Sequence, residues 1–161
     1  MIEIGNRLPE ATLMELTASG PSSVPSSEVF AGKTVALFGV PGAFTPTCNN
    51  QHLPTFIAQM DALKAKGADA VVCVSVNDPF VMGAWGEASG ASAAGIRMLG
   101  DPESAFVKAM GLDFTAEVVG LIARSQRFAA LVEDGTLKVL SVEGNPGEAK
   151  ATTAEALLAA M

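Results

Sequence analysis

The chain is poor in the residues that build cross-linked or metal-dependent proteins. It holds two cysteines and one histidine in 161 residues. Two cysteines in a chain of this length cannot form a disulfide scaffold. Cys48, His52 and Cys73 supply too few metal ligands at no recognised spacing, so we expect no metal site. The lack of a C-x-x-C pair also disfavours a disulfide oxidoreductase.

Positive charge and long apolar runs are scarce as well. Ten Lys and Arg residues stand against 17 Asp and Glu, which gives a net charge of −7 and no basic cluster. Because an acidic surface repels phosphate backbones, we expect no nucleic-acid partner. The longest apolar stretches have the length of strands, so we expect no membrane span. The N-terminal M-I-E-I-G-N-R does not read as a signal peptide, and a cytoplasmic protein is expected.

The residues that remain suffice for one domain over 1–161, since 49% of them are hydrophobic. Apolar, β-branched runs at 33–40 and 70–76 predict strands that are buried on both faces, as in a parallel sheet. Between them, apolar residues recur every three or four positions from about residue 45 to 66. This spacing predicts a helix, and Gly67 suits its end.

Further along, turn and capping residues mark shorter elements. They predict helices that open at 77–79, 101–103 and 152–155, a strand at 96–99, a hairpin of 128–132 with 136–142, and a surface loop at 20–27. The order predicts an α/β fold in which helices flank both faces of a central mixed sheet. A thioredoxin-like architecture is the best candidate.

The segment V-P-G-A-F-T-P-T-C-N-N-Q-H-L-P, residues 40–54, follows the end of a predicted strand, where ligands gather in open α/β sheets. Thr45 is expected to cap the helix and Pro46 to begin it, which puts Cys48 in the first turn. Backbone N–H groups and the helix dipole favour a thiolate there.

A thiolate at this position can attack a hydroperoxide and become a sulfenic acid. The Thr45 hydroxyl can reach the substrate oxygens, and a fixed arginine can stabilise charge on the departing oxygen. Arg124 and Arg127 are the candidates, and the residues alone do not choose between them.

P-G-A-F-T-P-T-C contains the P-x-x-x-T-x-x-C pattern and resembles the peroxiredoxins, with Pro41, Thr45 and Cys48 in the defining positions. The continuation H-L-P, together with C-V-S-V-N-D-P-F-V-M-G-A-W-G and R-S-Q-R-F-A, resembles the peroxiredoxin-5 branch, which includes the plant type II enzymes. The resemblance implies a homodimer that reduces hydrogen peroxide and organic hydroperoxides through a Cys48 sulfenic acid. It also favours Arg127 as the arginine near the thiolate. The residues expected to support the substrate site are Pro41, Gly42, Phe44, Thr47 and Arg124.

Cys73 lies within an apolar strand run, where a packed thiol is the ordinary outcome. The alternative is a resolving cysteine, the role that the resemblance to the plant type II enzymes suggests. Such a thiol would have to move, because a disulfide needs Cα atoms within about 7 Å. Residues 144–161 contain no cysteine. We therefore expect no bound cofactor and an external thiol reductant, which would be glutathione, glutaredoxin or thioredoxin.

Two other functions stay open at this point. The same residues would serve a peroxide sensor or redox relay that passes its oxidation to a partner protein. His52 lies four residues after Cys48, on the same side of a helix, so a Cys–His hydrolase is also conceivable. A structural hydrogen-bonding role for His52 is the simpler interpretation.

Overall fold

The computed structural model describes residues 1–161. Nine strands and seven helices follow one another, with two irregular helical turns between them. The elements in chain order are β1 (Thr12–Thr17), β2 (Gly20–Pro25), α1 (Ser26–Phe30), β3 (Thr34–Val40), a π-helical turn (Cys48–His52), α2 (Leu53–Ala58), α3 (Met60–Ala65), β4 (Ala70–Ser75), α4 (Pro79–Ser89), α5 (Ala91–Ala94), β5 (Arg97–Gly100), α6 (Ala105–Ala109), β6 (Asp113–Ala116), a 3-10 turn (Glu117–Val119), β7 (Leu121–Ser125), β8 (Phe128–Glu133), β9 (Thr136–Val142) and α7 (Ala154–Ala160).

Seven strands form one mixed sheet in the order β2-β1-β5-β4-β3-β8-β9, while β6 and β7 pair separately. β3 and β5 run parallel to β4, and the other pairs are antiparallel. Two hydrophobic clusters lie on opposite faces of this sheet and pack its helices against it. The predicted mixed sheet with helices on both faces is confirmed. No helix has the length and apolar character needed to cross a lipid bilayer.

The central strand β3 is buried from Val35 to Val40, because β4 and β8 cover its two edges and helices cover its two faces. Its pairing with β8 places Gly39 opposite Phe128. The residue before Phe128 therefore lies beside the chain that leaves the end of β3. This register brings the two parts of the candidate site together.

The prediction of a surface loop at 20–27 is wrong, because residues 20–25 form strand β2. Gly20 adopts a positive φ of 105° at the turn from β1. β2 pairs with β1 alone, so Pro21 and Pro25 lie on a sheet edge, where a missing N–H breaks no ladder. The Pro and Ser content that indicated a loop is thus compatible with an edge strand.

The long helix predicted between β3 and β4 is present, but it is not continuous. Its first part contains the π-helical turn. The helix is interrupted at Gln59 (φ −103°, ψ 13°), which separates α2 from α3. The helix predicted after Asp101 begins later, at Ala105. Ser104 occupies its N-cap position, and the Asp101 carboxylate, three residues earlier, accepts hydrogen bonds from the N–H groups of Phe106 and Val107.

Replacing Gly39 with alanine tests the β3–β8 packing. A Cβ at this position would overlap the Phe128 ring, which backbone pairing holds in place. We expect Gly39→Ala to lower the free energy of unfolding by about 1–3 kcal/mol, the usual effect of overpacking a core. Urea denaturation would measure this change. Gly144→Ala is the control, because an added Cβ there meets open space. Equal stability of the two variants would contradict the packing described here.

Candidate active site

The chain that leaves β3 turns sharply before it enters the helix. Pro41 and Gly42 are buried, and Phe44 adopts a left-handed φ of 63°. A Cβ on Gly42 would lie 2.9 Å from Arg124 Nη1, so a side chain there would displace the arginine. Arg124 donates a hydrogen bond from Nη1 to the Pro41 carbonyl at 3.2 Å. Arg124 therefore braces this turn and does not contact Cys48.

Cys48 lies in the first turn of the helical segment, as predicted, and is fully buried. Arg127 immediately precedes β8 and is itself only 1% exposed. Its Nη2 donates to the Cys48 sulfur at 3.2 Å. Of the two candidate arginines, the structure thus brings Arg127 to the sulfur. This geometry agrees with the choice that the resemblance favoured.

The guanidinium of Arg127 has no carboxylate partner. Its Nε and Nη2 donate to the Pro146 carbonyl at 3.2 and 2.9 Å, and its Nη1 lies 3.1 Å from His52 Nδ1. None of the three ion pairs in the structure involves this arginine. A buried charge is costly unless an opposite charge lies beside it. The Cys48 sulfur, as a thiolate, is the group in contact with Arg127 that can supply one.

His52 is fully buried and does not form a hydrogen bond with Cys48. Burial, together with the positive charge of Arg127, lowers the pKa of His52 from 6.5 to about 3. The ring is therefore neutral at physiological pH. Because the guanidinium can only donate, Nδ1 must accept, and Nε2–H donates to the Thr152 carbonyl at 2.8 Å. The Cys–His hydrolase arrangement is absent, since the ring nitrogens already have other partners.

Thr45 occupies the cap position, because its carbonyl accepts the hydrogen bond from the Asn49 N–H. The prediction that its side chain caps the helix is wrong. The Thr45 hydroxyl instead donates to the Gly42 carbonyl at 2.7 Å, which leaves its lone pairs available to another donor. Thr47 donates to the Gly147 carbonyl at 3.0 Å and so fastens the segment after β9 to the helix.

A cleft of about 270 Å³ opens beside these residues. One wall comes from the β6–β7 pair and the turn between those strands, elements that no sequence pattern predicted. Phe44, another predicted site residue, does not line the cleft; it is half-exposed and tilts against Trp85, with ring centroids 6.4 Å apart. The lining residues are Pro41, Thr45, Pro46, Thr47, Phe114, Ala116, Val119, Leu121, Arg127, Pro146 and Gly147.

Cys73 lies in β4 between Phe38 of β3 and Met98 of β5, fully buried, with its thiol free. Burial raises the pKa of Cys73 well above its ordinary value, and the charge of Cys48 raises it further, while Arg127 acts in the opposite direction. A thiol in this environment is a poor nucleophile at neutral pH. The position is that of a packed thiol, and a resolving role stays a prediction.

Comparisons with known proteins show the family of the chain. The Redoxin family matches residues 3–158. Peroxiredoxin-2F, mitochondrial, from Arabidopsis thaliana is 46% identical over 137 residues, which cover 85% of this chain and 68% of that protein. Peroxiredoxin-2E-2, chloroplastic, from Oryza sativa subsp. japonica is 44% identical over 164 residues, or 99% of this chain and 72% of that protein.

Solved structures give the same result. Reduced Prx3 from Vibrio vulnificus in complex with H2O2 matches with a TM-score of 0.92 and 49% identity over 99% of both chains. Peroxiredoxin 5 from Alvinella pompejana matches with a TM-score of 0.87 and 34% identity over 99% of this chain and 97% of that one. The chain therefore belongs to the Redoxin family and, within it, to the peroxiredoxins, the thiol peroxidases that its Cys48 segment resembles.

Proposed function

We propose that this thiol peroxidase reduces hydrogen peroxide and organic hydroperoxides with Cys48 as the nucleophile. The observation that carries the assignment is the buried guanidinium of Arg127, 3.2 Å from the Cys48 sulfur and without a carboxylate partner. A guanidinium at this distance can stabilise negative charge on the sulfur and on the departing oxygen, as reduction of a peroxide by a thiol requires.

The reaction needs one attacking atom and a stabilised leaving oxygen. The Cys48 thiolate attacks one peroxide oxygen, so that an S–O bond forms as the O–O bond breaks. Sulfur is oxidised by two electrons to a sulfenic acid, and the other oxygen departs as hydroxide or alkoxide, which takes up a proton. Arg127 can stabilise the charge on that oxygen, and the Thr45 hydroxyl can orient the substrate.

The cleft supports a substrate with an apolar group. Phe114, Val119 and Leu121 form apolar parts of its wall, and Thr45 and Arg127 lie on the same lining. An organic hydroperoxide could place its peroxide end near the polar residues and its hydrocarbon against the wall. A hydrogen peroxide molecule needs only the polar end.

An external thiol completes the proposed cycle, and no bound cofactor is required. Cys73 is buried within the sheet, and residues 144–161 contain no cysteine. Glutathione, glutaredoxin or thioredoxin would then reduce the sulfenic acid of Cys48. The comparisons favour this enzyme over a peroxide sensor or relay. The cytoplasmic location stays a prediction, which fractionation of the source cells would test.

We also propose that the chain forms a homodimer through the apolar residues around the cleft mouth. Val118 is fully exposed, and Val119 and Ile122 are more than half exposed. Phe44 is 51% exposed and precedes Thr45 on the cleft lining. A second copy would remove this surface from water, which is favourable for apolar groups.

Replacing Cys48 with serine tests the nucleophile. A serine hydroxyl does not ionise near neutral pH, so we expect Cys48→Ser to reduce peroxide consumption to the uncatalysed background. Stopped-flow measurements with hydrogen peroxide and with an alkyl hydroperoxide would record the loss. Wild-type turnover in this variant would refute the assignment, provided that circular dichroism shows an intact fold.

Replacing Cys73 with alanine tests the reductant. Because the Cys73 thiol is buried in β4, we expect Cys73→Ala to keep most of the turnover that glutathione or thioredoxin supports. Steady-state assays with each reductant would measure it. Complete loss of turnover in a folded Cys73→Ala protein would identify Cys73 as the resolving cysteine.

Replacing Val118 with aspartate tests the dimer. Val118 is fully exposed in one chain, so the substitution leaves the fold of a monomer undisturbed. We expect sedimentation to show a dimer for the wild type and a weakened dimer for Val118→Asp. Ile4→Asp is the control, since Ile4 is also exposed but lies in the N-terminal segment, beside β9. A monomeric wild type would contradict the proposal.

A further inference from the structure

The guanidinium of Arg127, whose planar fork of N–H groups points in fixed directions, donates to two acceptors in addition to the Cys48 sulfur. The Pro146 carbonyl accepts from Nε and Nη2, and His52 Nδ1 accepts from Nη1 at 3.1 Å. His52 is thus the one side chain other than Cys48 that forms a hydrogen bond with this guanidinium. It lies four residues from Cys48, so one helical segment carries both the sulfur and the acceptor.

The ring of His52 cannot turn away from the arginine. It packs in a T-shaped arrangement against Phe38 and Phe56, with ring centroids 5.2 and 5.6 Å away, and is fully buried. Its Nε2–H donates to the Thr152 carbonyl at 2.8 Å. This bond fixes the tautomer, because the nitrogen that faces the carbonyl must carry the proton. Nδ1 is then left with a lone pair that points at Arg127.

Thr152 is itself held by the carboxylate of Glu143. Glu143 Oε1 accepts from the Thr152 N–H and hydroxyl, both at 3.0 Å, and from the Lys150 N–H at 2.6 Å. Partial burial acts to raise the pKa of Glu143, but these hydrogen bonds hold it below its usual value. The Glu143 N–H donates to the Arg127 carbonyl at 3.0 Å. The segment 143–153 therefore contacts both the main chain of Arg127 and the His52 ring.

We propose that His52 is a positioning residue: it receives its orientation from Thr152 and aims the Arg127 guanidinium at the Cys48 sulfur. Without Nδ1, one buried N–H of the guanidinium would lack an acceptor, and the fork would rotate or shift to find another. A displacement of about 1 Å at a reacting group can slow a reaction by about a hundredfold. The inference rests on the proposed function only where it is tested by the reaction with hydrogen peroxide.

The test uses a full-length protein that carries Cys73→Ala, so that Cys48 is the only thiol. His52→Leu removes both ring nitrogens. His52→Asn retains an acceptor, because the amide oxygen can take the place of Nδ1. His52→Gln extends its amide toward the Thr152 carbonyl instead. The rate of alkylation by iodoacetamide as a function of pH reports on the thiolate, and stopped-flow oxidation by hydrogen peroxide reports on the full site.

Thr55→Val is the matched control. The Thr55 hydroxyl donates to the His52 carbonyl at 2.8 Å and accepts from the Ala154 N–H at 3.1 Å. It joins the same two parts of the chain without touching Arg127. Thr55→Val therefore weakens the packing of α7 while leaving the fork in place, and urea denaturation compares the stability of all variants.

We expect His52→Leu to slow both reactions by about tenfold to a hundredfold and to move the alkylation profile to higher pH. His52→Asn should recover much of the rate, His52→Gln should recover less, and Thr55→Val should match the parent. Unchanged rates in His52→Leu would overturn the proposal, as would equal rates in His52→Asn and His52→Gln, or an equal loss in Thr55→Val. If His52→Leu fails to fold, the comparison of Asn with Gln decides.

Failure of the proposed function gives a different result. A parent protein that alkylates rapidly but does not react with hydrogen peroxide would refute the peroxidase assignment. The order of alkylation rates among the His52 variants would still test the positioning role, because it does not depend on peroxide.

Discussion

The site depends on one buried positive charge that no carboxylate neutralises. Arg127 is 1% exposed and is held by a carbonyl, an imidazole and a sulfur. Neutral acceptors satisfy its N–H groups but leave its charge uncompensated. The charge can therefore act on the groups that become negative, first the Cys48 sulfur and then the peroxide oxygen that departs when the O–O bond breaks. A carboxylate at the same distance would have taken up that charge.

The fold provides this arrangement through the pairing of β3 with β8. Gly39 faces Phe128, so Arg127 reaches the end of β3, from which the chain continues to Cys48. Gly39 allows the Phe128 ring to lie against the strand, since any side chain there would collide with it. The register of two central strands thus sets the position of the guanidinium relative to the sulfur. Phe128 packs in the core and Arg127, the residue before it, contacts the reactive sulfur, so the packing of the core determines the geometry of the site.

Local sequence signals predicted the elements whose residues repeat a pattern. The structure contains the predicted buried strands β3 and β4, the β8–β9 hairpin and the Asp78 cap of α4. Cys48 begins a helical segment, as expected. Strand β2 was missed because Pro and Ser also mark loops. The hydrogen-bond partners of His52 could not be predicted for another reason. They lie 75 and 100 residues away in the sequence, and local residue spacing gives no information about such contacts. The choice between Arg124 and Arg127 needed the strand register for the same reason.

The neutral state of His52 also links the site to the stability of the chain. In the unfolded chain this histidine binds a proton below its ordinary pKa of 6.5, whereas burial and Arg127 keep the folded pKa at about 3. Between these values the unfolded state binds more protons, so the contribution to stability is complete above pH 6.5 and falls as the pH decreases toward 3. Protonation would put a second cation against Arg127 and remove the acceptor that Nδ1 provides. The low pKa keeps the His52 ring neutral above about pH 3, and only the neutral ring can accept a hydrogen bond from Arg127.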